Sequence, residues 1–254
     1  MRTIGFLCLL VLLLSCEDRQ LSEDIKSQLD EENMVHRCKS FIDSLDELVY
    51  ERGERFESLV YSNENEELKS VLWYLDDTLS IVRELIKYQK TNEQHELSFY
   101  FLEGQLYLAQ EIIDISSAQG VKSTELLVLY EGKTPVRAWS NSTNDGNFSA
   151  SNYKDAPTKH YDPSRALAMF YNEKDFVMHF EDFLESGGET YLLVNTGRKN
   201  NYIAALRIGK MDSFLNELNA KKEKYKNFPL FIQHQAINEG GWIFHQYIRG
   251  SFLE

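Results

Sequence analysis

The chain has 254 residues, with 27 Lys+Arg against 40 Asp+Glu for a formal charge of −13, and 43% of its residues are hydrophobic. That apolar share, with 13 Gly and only 4 Pro, excludes a low-complexity or collagen-like chain and allows one large core or two smaller ones. The acidic balance argues against a nucleic-acid binder, because neutralising phosphates needs a surface rich in Lys and Arg.

The first residues read as a processing signal. Arg2 supplies a positive start, Ile4 to Leu14 form an eleven-residue apolar run, and Leu13-Leu14-Ser15-Cys16 closes it before Glu17-Asp18. The run is shorter than the roughly 20 residues that span a bilayer. Leu13-Leu14-Ser15-Cys16 resembles the lipobox of bacterial lipoproteins, with small Ser15 directly before the acceptor Cys16. The resemblance implies that residues 1–15 are a signal peptide removed before Cys16, that diacylglycerol is attached to the Cys16 sulfur, and that its new amine is N-acylated. Each buried methylene contributes about 0.8 kcal/mol, so two or three acyl chains anchor where one would not. Residues 16–24 become an acidic tether. The acidic residues behind Cys16 resemble in part the export signals of surface lipoproteins, which favours the outer membrane over the inner.

Loss of the signal leaves 239 residues and a side-chain charge of −14. Cys8 leaves with it and Cys16 carries lipid, so Cys38 is the remaining thiol and no disulfide can form within the chain. Cys38 reads as a small apolar residue on a helix face.

From residue 25 to 118 the pattern predicts a helical bundle. Val35, Cys38, Ile42, Leu45 and Val49 recur at spacings of three and four, and Arg52-Gly53 offers a break. Leu68, Leu72, Leu75, Leu79, Val82 and Ile86 alternate the same spacings, as a packed helical seam would. Thr91-Asn92 suits a helix start before Leu97, Phe101, Leu108, Ile112 and Ile115.

After Gln119-Gly120 the texture changes, and residues 125–254 predict an α+β domain with a largely antiparallel sheet. Strands are expected at Glu125–Tyr130 and Pro135–Ser140, followed by a polar loop over 141–163. A strand at Ala166–Tyr171, a helix at Glu173–Glu185 and strands at Thr190–Asn195 and Tyr202–Ile208 come next. Asp212 N-caps a helix to about Lys226, and strands at Leu230–Ile237 and Trp242–Ile248 close the chain.

The local signatures G-x-S-x-G, H-E-x-x-H and C-x-x-C are absent, as is a phosphate-binding glycine pattern, and His95-Glu96 is followed by Phe at position 99. The sharpest positive feature is the last hairpin. A symmetric turn at Asn238-Glu239-Gly240-Gly241 places Ile237 nearest Trp242 and sets His234 opposite His245, with Cβ atoms about 5 Å apart. Two imidazoles at that spacing could share a metal ion or an anionic group; a further ligand would come from His160, Asp162 or His179. Lys154-Asp155 and Lys159-His160-Tyr161-Asp162 put acid and base types close together. Lys221, Lys222, Lys224 and Lys226 suit the carbonyl end of a helix, and the aromatic residues of the β region could form a binding surface.

These observations favour a lipid-anchored envelope lipoprotein that is a non-catalytic binding or assembly module. Its membrane attachment is the lipid, and its partner is a protein, with a basic surface that the acidic chain would attract. An immunity-type protein that neutralises a basic toxin is one version. No cofactor beyond the covalent lipid is expected. The rival reading is an envelope hydrolase centred on His234 and His245, with His160 and Asp162 as further catalytic candidates.

Overall fold

The structure, a computed structural model, describes residues 34–118, 120–197 and 201–253. The expected signal peptide, lipidation site at Cys16 and acidic tether lie outside the described residues.

The chain is built on β-structure, and the expected N-terminal helical bundle is replaced by a β-meander. One helix, α1 (Met34–Arg52), opens the described chain. It buries Val35, Cys38, Ile42, Leu45 and Val49, the stripe read from the sequence, together with Phe41. It stops at Gly53, whose amide donates to the Val49 carbonyl at 3.0 Å and where an added Cβ would meet that oxygen at 2.6 Å. Strands follow: β1 (Glu54–Glu57), β2 (Tyr61–Ser62), β3 (Glu66–Leu75), β4 (Thr78–Tyr88), β5 (Glu93–Leu102), β6 (Gln105–Ser117), β7 (Gly120–Glu131), β8 (Thr134–Thr143) and β9 (Lys154–Asp155).

The two segments that read as helices are thus hairpins. Asp76 and Asp77 both adopt left-handed backbone, with φ of 50° and 60°, and turn β3 into β4 in the two-residue geometry that fits strand twist. Thr91-Asn92 belongs to the β4–β5 turn, with Asn92 at φ 52°. Long runs of Val, Ile, Leu, Phe and Tyr on both faces then favour a sheet covered on two sides over three amphipathic helices.

The second half departs from expectation at two elements. Ala166–Tyr171, read as a strand, lies in a helix, α2 (Ser164–Tyr171), which buries Ala166, Ala168 and Met169 and ends at Asn172 in left-handed conformation. Residues 173–185, read as a helix, make a short 3-10 turn and then strand β10 (His179–Ser186). Strands β11 (Glu189–Asn195) and β12 (Ile203–Ile208) follow. Helix α3 (Ser213–Ala220) starts as expected at Asp212, whose carboxylate accepts from the Leu215 amide at 2.8 Å. A short helix, α4 (Lys222–Tyr225), leads to the final hairpin of β13 (Leu230–Glu239) and β14 (Trp242–Phe252).

Among the described residues 14 strands form one sheet, whose main path runs β10-β11-β12-β2-β3-β4-β5-β6-β7-β8-β9. β1 lies along β3 beside β2, and β14 joins β12 in parallel at Arg207 and Gln246. The meander has two covered faces. On one, α1 packs against Ile81, Tyr100, Leu108, Leu127 and Trp139. On the other, Tyr161 and Ala166 cover Leu72, Val82, Phe99, Ala109 and Val128. A third core joins α2 and α3 to the C-terminal strands around Met169, Met178, Phe180, Leu206 and Leu215.

Buried carboxylates fasten the covering elements. Under α1, the fully buried Glu125 accepts from Lys39 Nζ at 2.9 Å and from Gln110 and Tyr153. Under α2, Glu84 meets Arg165 Nε at 2.5 Å. Cys38 sits at the α1 interface with no exposure, and burial pushes its thiol up to about 11. A soluble disulfide reagent at pH 8 is therefore expected to leave Cys38 unmodified in the native chain and to label it fully in denaturant. Rapid native labelling would show that α1 does not hold this face.

Candidate functional site

The site is best built from the last hairpin. Gly240 and Gly241, with φ of 60° and 86°, form a two-residue turn, so Glu239 rather than Ile237 pairs with Trp242. His234 then opposes Tyr247, and Ala236 opposes His245; an extra residue on β14 shifts the register beyond Gln233. The register expected from the sequence is displaced by two residues, an even number that preserves the faces. His234 and His245 consequently remain on one side as diagonal neighbours, with ring centroids 5.2 Å apart and planes at 82°.

Among the described residues, the ring nitrogens of the pair are largely without partners. His234 Nδ1 and both ring nitrogens of His245 are buried without a hydrogen-bond partner among the described residues. Burial pushes both imidazoles down to about 4, and His234 adds to the depression at His245, which Glu57 opposes. Glu57, on β1, is itself buried and ion-paired with Lys69 and Arg55. Two neutral imidazoles and a carboxylate already held by two cations do not make a ligand set. No group of three His, Cys, Asp or Glu side chains among the described residues is placed to hold a metal.

The other candidates lie elsewhere. His160 packs edge-on against Tyr130, 6.2 Å between centroids, and shares with Asp162 and Lys133 a separate cavity of about 520 Å³. Asp162 accepts from the Ser164 amide at 2.9 Å, so it satisfies the first turn of α2. The His179 ring bonds the Val177 carbonyl at 3.0 Å through Nδ1. Lys154 and Asp155 form the short strand β9, with both side chains exposed. Lys221, Lys222 and Lys226 are spent on Glu217, Asp182 and Glu181 respectively.

What the hairpin does build is a groove. A cavity of about 820 Å³ opens between β1 and the β13–β14 hairpin, with His234 in its wall. Phe56 and Phe170 meet edge to face on one side, 6.4 Å between centroids. Phe231 and Arg249 stand on the hairpin, and Arg249 Nε donates to Gln233 Oε1 at 2.7 Å. Phe56 is 42% exposed and Phe231 52%, and both line this cavity. Sequence reasoning found the hairpin and missed Arg55, Phe56, Phe170 and Arg249. Glu54-Arg55-Phe56-Glu57 is too short and too charged to mark a strand, and nothing local joins residue 55 to residue 249.

A scan against protein-family models matches none, and searches of curated proteins and of solved structures find no match either. Functional inference therefore rests on the residues themselves.

The paired imidazoles carry a pH prediction. Unfolded histidines titrate near 6.5, whereas these titrate near 4, so the unfolded chain takes up protons first as pH falls. The stabilising contribution is complete above about pH 6.5 and is lost between there and about pH 4, to the extent of roughly 3 kcal/mol for the buried His245. Urea unfolding of His245→Phe from pH 7.5 to 4.5 should show a shallower loss of stability than the parent chain. Parallel curves would refute the assignment.

Proposed function

We propose that the chain is a lipid-anchored lipoprotein of the bacterial envelope, held at the outer membrane through Cys16, whose β-rich body is a protein-binding module rather than an enzyme. The anchor is supported by Leu13-Leu14-Ser15-Cys16 and the apolar run before it. The observation that carries the binding reading is the groove between β1 and the final hairpin, where aromatic and aliphatic side chains remain open to solvent. Such side chains at a concave surface contribute most when a partner removes them from water. The strongest polar clusters, by contrast, are occupied in fastening helices to the sheet. A membrane tether also suits a binder, because confinement raises the effective concentration of whatever it holds at the envelope.

Two measurements test the two halves of this reading. Cys16→Ser should abolish incorporation of labelled fatty acid and release the protein from membranes, and continued labelling would overturn the anchor. Photo-crosslinking residues placed at Gln235 in the groove, and at Asp76 and Lys133 on distant turns, should capture a reproducible envelope protein in living cells from at least one position. Absence of capture from all three would overturn the binding module.

A further inference from the structure

The groove is bounded by two strand edges. Consecutive residues Arg55, Phe56 and Glu57 line it from β1, and residues 231–236 line it from β13. Neighbouring strand residues point to opposite faces, so both sets reach one cavity only where the strand presents its edge. The hydrogen bonds agree. On β1, the Ser58 amide donates to the Ser70 carbonyl at 2.9 Å, so alternate residues Phe56 and Glu54 address β3 while Arg55 and Glu57 address the groove. At the start of β13, the Leu230 amide donates to Met178 at 2.8 Å while the Pro229 carbonyl accepts from Leu253 at 3.1 Å. Even-numbered residues therefore face away from β14. Beyond Leu230, no strand among the described residues pairs with that edge of β13, and none pairs with the outer edge of β1.

Open edges are ordinarily blunted by lysine, proline or short length. β13 runs ten residues and has no Lys, no Pro and no charged residue before Glu239. Backbone donors and acceptors facing a groove specify a polypeptide in extended form. Side chains specify its composition: Phe56, Phe170, Phe231 and Ile248 offer apolar contact, and Arg55 and Arg249 stand in the walls with Glu57 as the one acidic lining residue. With Lys69 also on Glu57, this is a cationic spot on a chain of charge −13.

Resting on the binding-module reading, we propose that the groove receives an extended segment of a partner protein, alternating apolar and acidic side chains, as an added strand bonded to the open edges of β1 and β13. Strand addition draws affinity from main-chain bonds and specificity from alternate side chains. The acidic residues would face Arg249, whose only bonded partner among the described residues is the neutral Gln233, and the apolar ones the phenylalanines.

The test uses the full chain and two short synthetic peptides that alternate Phe or Ile with Glu, or with Lys in the same positions. The Glu peptide should bind at least about tenfold more tightly than the Lys peptide, the ratio that one charge-assisted bond supplies. Arg249→Glu should reverse that preference. N-methylation of alternate peptide amides should abolish binding, and bound peptide should slow amide exchange at Ile232, His234 and Ala236. Ala236→Pro removes a donor from the open edge and no bond to β14, so it should weaken binding while a melting curve confirms the fold. Equal binding of the two peptides, or full binding of the N-methylated one, would overturn the proposal. So would a dimer of the free chain that already protects these amides, since a second copy would then fill the edge. Capture at Gln235 in cells, with no binding of either peptide, would overturn strand addition and leave the binding module standing.

Discussion

An antiparallel sheet of long apolar strands is stable in water only when both of its faces are covered, and much of this chain's architecture answers that requirement. α1 lays its stripe on one face of the meander, while α2 and the segment before it close the other. Burial of each large aliphatic or aromatic side chain stabilises the fold by roughly 1.5–3 kcal/mol. Leu72, Ile81, Val82, Phe99 and Tyr100 are all fully buried, and each depends on a covering element distant in sequence.

Apolar covering alone does not fix where a helix sits along a sheet. Here the position is set by buried carboxylates that find their cations on the covering elements: Glu125 on the sheet with Lys39 of α1, and Glu84 with Arg165 of α2. A buried ion pair contributes little net stability, but loss of one partner leaves a charge without water or counter-ion and costs about 3–5 kcal/mol. Misplaced packing would incur that cost, so the pairs act as registration marks. Glu57 differs in that its cations come from its own strand, Arg55, and from β3, Lys69, rather than from a covering helix, and it lines the groove. The same chemistry that fastens elsewhere shapes a binding wall here.

The sequence was misleading where two periodicities coincide. Leu68, Leu72, Leu75, Leu79, Val82 and Ile86 recur at spacings of three and four, yet they are also mirror-symmetric about Asp77. In the hairpin Leu68 opposes Ile86 and Leu72 opposes Val82. A symmetric set of apolar residues around a tight turn imitates a helical seam, and the distinguishing mark was Asp76-Asp77, a pair able to adopt left-handed backbone. α2 was missed for the opposite reason. Ala-Leu-Ala-Met-Phe-Tyr is too short to display a helical period, and its context, with Asp162 ahead and Asn172 behind, decided the outcome.

What the sequence by itself determined was local: the lipobox resemblance and its apolar run, the stripe of α1, the cap at Asp212, the strand pairs β7–β8 and β13–β14, and the shared face of His234 and His245. Each depends on residues within a few positions of one another, where backbone preference and side-chain period are strong. Face identity in the last hairpin survived an error in register because the displacement was even, and a strand's side chains repeat every two residues. Only the tertiary structure decided that a meander, not a bundle, carries α1. Only it decided that, among the described residues, β1 and β13 leave edges unpaired, and that Arg55, Phe170 and Arg249 line one groove. Those arrangements come from covering a sheet and closing it against distant strands, and the free energy of such contacts is not written in any local pattern.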